Sequence, residues 1–111
     1  MSSAKNKAEV LDRLFATIES RKGTSPDESY TASLLAAAPE KPARKLAEES
    51  TELVIEAMRD DKIAMVQESA DLLYHLLVVW AGSDIDPSDV YAALEARTSQ
   101  SGHAEKASRN S

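Results

Sequence analysis

Two pairs of acidic side chains are the residues of this sequence best placed to do chemistry. Glu49 and Glu52 form one pair, Glu68 and Asp71 the other, each at i,i+3 spacing. On a helix, residues three apart lie side by side on one face. If the two helices run antiparallel, the pairs face each other across the gap. Four converging carboxylates repel unless a cation lies between them, and an all-oxygen set suits Mg²⁺ or Mn²⁺. Glu48 adds a further acid beside the first pair. Lys41, Arg44 and Lys45 come just upstream, where cations at a helix start are mildly unfavourable. Their presence is easier to understand if they face a polyanion. Beside a carboxylate-held metal they would form a site for a polyphosphate.

Each of these residues also has a plainer reading. Glu48, Glu49 and Glu52 could be a solvated helix face, since Glu is a good helix former and mostly exposed. Asp71 is harder to dismiss, because Asp is a poor helix-interior residue and this one precedes the most apolar stretch of the chain. In a largely buried helix it needs a partner, either a metal or a base such as Lys45 or Arg44. His75, one turn further on, is a candidate ligand or a satisfied core residue. Trp80 belongs to the core or to an interface.

Helices must position these groups. Val10, Leu11, Leu14, Phe15 and Ile18 form one apolar stripe and predict a helix from Lys7, stopping near Gly23. Ser25-Pro26-Asp27 marks a loop. Ala32 to Ala38 reads as a short helix anchored by Leu34 and Leu35. Pro39 and Pro42 suit a first helical turn, so a third helix begins at about Glu40 to Pro42 and runs to about Arg59. Its apolar stripe is Leu46, Leu53, Val54 and Ala57. Asp60-Asp61 is a turn, with Asp61 as N-cap of a fourth helix reaching Ala81. The second half of that helix, from Leu72 to Trp80, is apolar nearly all round and must be central. Asp86 as N-cap and Pro87 at the first position start a fifth helix, ending near Arg97.

The fold class is therefore all-α, with four to five helices. One small chain has few helices with which to cover the fourth. A homodimer is expected, its bundle built on the central antiparallel pair from each subunit. Residues 7–97 form one domain, with a flexible N-terminus at 1–6 and a disordered tail at 98–111. The 111 residues carry 19 acidic and 13 basic side chains, a net charge of -6. That balance disfavours nucleic acid as a partner. The absence of cysteine excludes a disulfide framework and a thiolate zinc site. The N-terminus lacks a signal-peptide core, and the longest apolar run is too short to span a bilayer, so no membrane is implied and a cytoplasmic location is expected.

Taken with their flanks, the acidic pairs identify a family. Ser29-Tyr30-Thr31, then Lys41-x-x-Arg44-Lys45-x-x-Glu48-Glu49-x-x-Glu52, then Glu68-x-Ala70-Asp71-Leu72-Leu73-Tyr74-His75-Leu76-Leu77-Val78 closely resemble the phosphoribosyl-ATP pyrophosphohydrolases. These belong to the all-α, MazG-like nucleoside-triphosphate pyrophosphohydrolase superfamily. The likeness covers about residues 8–97. It departs at Ala47, where the family usually has Gly before the paired glutamates. The resemblance implies Mg²⁺-dependent hydrolysis of phosphoribosyl-ATP to phosphoribosyl-AMP and pyrophosphate, the second step of histidine biosynthesis. It implies Glu49, Glu52, Glu68 and Asp71 as metal ligands, and Lys41, Arg44 and Lys45 as phosphate contacts. Glu48, Glu49 and Glu52 are the catalytic candidates, with Glu48 or Glu52 accepting a proton from the attacking water.

Two other functions compete. A house-cleaning pyrophosphohydrolase acting on nucleoside triphosphates would share the metal site, although Ser29-Tyr30-Thr31 and Tyr74-His75 favour phosphoribosyl-ATP. A non-enzymatic helical dimerisation module would leave the acidic stripe merely solvated and bind no metal.

Overall fold

The chain is assembled on an antiparallel hairpin of two long helices, α3 (Glu40–Met58) and α4 (Lys62–Gly82). A computed structural model describes residues 7–99. Against the hairpin pack α1 (Glu9–Ser20) and α2 (Tyr30–Ala36), and α5 (Pro87–Arg97) closes the sequence of elements. The described residues are thus all-α, as expected. The expected flexible segment 1–6 and most of the expected tail, 100–111, lie outside the described residues.

The hairpin turn follows from its aspartates. Asp60 takes a left-handed conformation (φ 57°), which Asp tolerates better than most residues. Asp61 then caps α4, its side chain accepting from the Ala64 amide at 3.0 Å. At the other end α3 carries Pro42 in its first turn, buried, where no helical amide partner is lost.

The core sits along the second half of α4. Leu77, Val78 and Ala81 pack with Ile18 of α1 and Leu34 of α2, and all five are at most 1% exposed. A close approach finishes this end. A Cβ on Gly82 would lie 3.0 Å from the Ala38 Cβ, so glycine lets α4 abut the corner between α2 and α3 without displacing it.

The bounds of α1 and α2 differ from the sequence reading at both ends: α1 begins at Glu9 rather than Lys7, and α2 stops at Ala36 rather than Ala38. α1 ends at Ser20, and Gly23 (φ 83°) serves the turn that follows rather than the helix end itself. α2 starts at Tyr30, before the expected Ala32, because the Ser29 side chain accepts from the Ala32 amide at 3.1 Å and nucleates the turn earlier. α5 begins as expected. Asp86 accepts from the Ser88 amide at 2.9 Å, and the backbone and side-chain bonds from Ser88 hold its carboxyl below the usual range. Tyr91 donates to Asp12 at 3.0 Å and ties α5 to α1. Among the described residues, no helix is long and apolar enough to cross a membrane.

Candidate functional site

Glu49 and Asp71 stand at nearly equal distances along the chain from the Asp60-Asp61 turn, and so do Glu52 and Glu68. An antiparallel hairpin therefore sets the two pairs at the same height. Glu49, Glu68 and Asp71 each bring one carboxylate oxygen to within 4.8 Å of the others. Glu52 is not one of that trio, but it lies against Glu68, close enough for the two to share a proton. Three of the four carboxylates expected to converge do so, and Glu52 lies at the edge of their cluster.

The electrostatics of the cluster are those of crowded anions. One oxygen of Glu49 and one of Glu68 are shut off from water and have no hydrogen-bond partner. Orphaned buried acceptors of this kind are costly. Desolvation first, then Glu52, then Glu49 push the Glu68 carboxyl from an ordinary 4.5 to about 7. Left to itself the cluster holds a proton on Glu68 well above the usual carboxylate range. A divalent cation would answer the same need better, and the all-oxygen donor set with two unsatisfied oxygens fits Mg²⁺ or Mn²⁺. No thiolate is available to favour a softer metal.

Asp71 departs from the sequence reading. It was expected to be buried, and it is exposed in this chain. The alternative ion pair with Lys45 is not formed either, for Lys45 pairs with Glu48 at 3.4 Å. Glu48 is exposed and turned to the outside of α3 by that pairing. Neighbouring residues on a helix point about 100° apart, so only one of Glu48 and Glu49 can face α4. Ala47 is regular α-helix, so no left-handed conformation is asked of it where the family usually has Gly.

The cations gather near the start of α3. Lys41 and Arg44 line a hollow of about 430 Å³ with Glu40 and the alanines at and just beyond the end of α2. The Lys41 Nζ also lies over the Tyr30 ring, 5.9 Å from its centroid. Lys41, Lys45, Glu49 and Glu52 follow one another at near-helical spacing, so the cationic stretch leads along the helix toward the carboxylates. A hollow of about 600 Å³ between α1 and the start of α5 is larger, but it lies away from the converging oxygens.

The flanking motif residues come together. Thr31 and Tyr74 share a hydroxyl–hydroxyl hydrogen bond, joining α2 to α4. Burial pushes the Tyr74 phenol up. His75 is buried among these rings and its Nδ1 bonds the Asp71 carbonyl, which makes it a satisfied core residue and not part of the oxygen cluster. The sequence marked these positions as a motif but could not show their contacts, which join residues far apart in the chain.

The sequence comparisons agree with the geometry. Residues 11–98 match the sequence model of the family described as phosphoribosyl-ATP pyrophosphohydrolase. Over 111 residues, the whole of both chains, the protein is 51% identical to the phosphoribosyl-ATP pyrophosphatase of Azospirillum brasilense. It is 55% identical over 100 residues to the protein of the same name from Cereibacter sphaeroides, covering 90% of this chain and 97% of that one. The protein of that name from Methylobacterium nodulans is 56% identical over 99 residues, covering 89% of this chain and 90% of the other.

Proposed function

Since the chain belongs to the phosphoribosyl-ATP pyrophosphohydrolase family, we propose that it hydrolyses phosphoribosyl-ATP to phosphoribosyl-AMP and pyrophosphate, the second step of histidine biosynthesis, with Mg²⁺ as its metal. The observation that carries this reading is the convergence of Glu49, Glu68 and Asp71 with two orphaned carboxylate oxygens. These three residues hold the ion, with Glu52 completing the set from its place against Glu68. Mn²⁺ is an acceptable substitute for the same donor set.

Bound there, the ion supplies charge neutralisation at the phosphate oxygens and a water of lowered pKa. The chain's own residues do the rest. Lys41, Arg44 and Lys45 bind phosphate oxygens and orient the substrate along α3. Glu52 lies closer to the trio than Glu48 does, since Glu48 points outward to Lys45, and so Glu52 is the better acceptor for the water's proton. Positioning and charge stabilisation account for most of the work, as in other phosphoryl chemistry.

The enzyme acts as a homodimer in the cytoplasm. Met58, Ile63 and Val66 are 84%, 80% and 67% exposed, and Ile63, Val66, Ala70 and Leu73 share one side of α4. That side is turned away from Glu68 and Asp71 on the helical wheel. An apolar stripe of this kind marks an interface, and a second copy of the hairpin covers it.

The test is pyrophosphate release from phosphoribosyl-ATP and, separately, from a panel of nucleoside triphosphates, with and without Mg²⁺. Release from phosphoribosyl-ATP that needs Mg²⁺ is expected. Release from the triphosphates alone would make the protein a house-cleaning hydrolase, and no release from either would leave a helical dimerisation module.

A further inference from the structure

His75 is the buried polar side chain of the core, 6% exposed, and the chemistry above makes no use of it. Packing alone does not explain an imidazole there, because a buried polar ring must have its nitrogens satisfied and a phenyl ring need not. Both nitrogens have partners. Nδ1 lies 2.9 Å from the Asp71 carbonyl oxygen, one turn back on the same helix. A carbonyl has no proton to give, so Nδ1 carries the hydrogen and donates it. In the neutral ring Nε2 is then an acceptor, and the Tyr30 hydroxyl faces it at 3.5 Å. The ring is also held edge-on by Tyr74, at 4.9 Å between centroids, and by Tyr30, at 6.3 Å.

This arrangement bears on Asp71. Glu49 and Glu68 are half-buried and confined by their neighbours, whereas the Asp71 side chain stands exposed. Its direction is governed mainly by its own main chain. That main chain receives the Nδ1–H bond in addition to the ordinary helical one.

We propose that His75 is a positioning residue, holding the Asp71 turn of α4 from behind so that the exposed carboxylate keeps its place beside Glu49 and Glu68, with the Tyr30 hydroxyl setting the ring. The inference rests on the reading that these carboxylates hold a divalent ion. Partners bonded directly to a ligating side chain are commonly worth 10–100-fold in metal affinity, and a bond to the ligand's main chain belongs at the low end of that range.

The experiment is titration of the metal-free protein with Mn²⁺, free ion being counted by electron paramagnetic resonance, alongside thermal unfolding without metal. His75→Phe keeps a ring of similar shape and loses both nitrogens, and it is expected to weaken Mn²⁺ binding about tenfold. His75→Asn, whose amide can still donate to the Asp71 carbonyl, is expected to return the affinity to within about threefold of the unsubstituted protein. It should do so even if it unfolds at a lower temperature than His75→Phe, because a smaller side chain packs less well. Equal Mn²⁺ affinity in all three proteins overturns the proposal. So does weakening that merely follows the loss of metal-free stability. Should His75→Phe not fold, Tyr30→Phe, at a half-exposed position, decides: an affinity about twofold to threefold weaker supports the inference, and an unchanged one overturns it. If the unsubstituted protein takes up no Mn²⁺, the metal reading and this one fall together. Normal uptake with an indifferent His75 overturns this one alone.

Discussion

From Tyr74 to Gly82, α4 is enclosed by its own chain, and Leu77, Val78 and Ala81 are sealed between α1 and α2. From Lys62 to Asp71 the same helix is left open, with Ile63 and Val66 largely exposed and an orphaned oxygen on Glu68. The carboxylate side of the first half faces α3. The contrast teaches where the chain completes itself and where it depends on something added. The closed half carries the intrinsic stability of the fold. The open half carries unmet demands, for positive charge on one side and for apolar cover on the other.

The comparison breaks most visibly at the carboxylates. Glu49→Gln or Asp71→Asn is expected to lower pyrophosphate release about 10²–10³-fold, the scale of losing one preorganised charge-stabilising group. Circular dichroism should show the fold retained. Wild-type turnover in both variants would remove the ligand assignment. In the closed half, Leu77→Ala should cost about 3 kcal/mol of unfolding free energy in denaturant titration, since a fully buried leucine leaves a cavity. A cost under about 0.5 kcal/mol would mean that this core is not where stability resides.

Val66→Asp addresses the apolar side of the open half. It should raise the dimer dissociation constant about 10–100-fold, seen by light scattering as a fall in mass at low concentration, with the monomer still folded. An unchanged mass would place the interface elsewhere. The smallest effect is one of pH. Glu68 lies at about 7 in the folded protein against an ordinary 4.5, so between those values the metal-free native state binds more protons than the unfolded chain. The contribution of this group to stability is therefore full below about pH 4.5 and is lost as pH rises through about 7. The denaturant midpoint without metal should fall across that window, and Glu68→Gln or saturating Mg²⁺ should flatten the profile. A flat profile without metal in the unsubstituted protein would show that the Glu68 carboxyl is not crowded as described.

Much of this was legible beforehand, and the reason is local chemistry. Asp61 and Asp86 as caps, the prolines in first turns and the two long helical patterns are signals carried by neighbours in sequence, and the helices begin where those signals lie. The structure starts α2 at Tyr30 rather than Ala32, because Ser29 caps it by accepting from the Ala32 amide, a signal of the same local kind as Asp61 and Asp86. Glu48 and Glu49 could not be told apart without the rotation of α3 against α4. Nor could the exposure of Asp71, since an apolar sequence around it says that the helix is covered but not from which side. Leu73, in the apolar stretch expected to need a second subunit for cover, is 42% exposed in this single chain.

All the acidic groups of the site come from one uninterrupted segment, residues 49–71, folded back on itself by Arg59-Asp60-Asp61. Bringing its ends together closes only a short loop, so little chain entropy opposes the step, and contacts so near in sequence form fast. The hairpin that carries the site is thus the part of the molecule whose formation asks least of the rest of the chain.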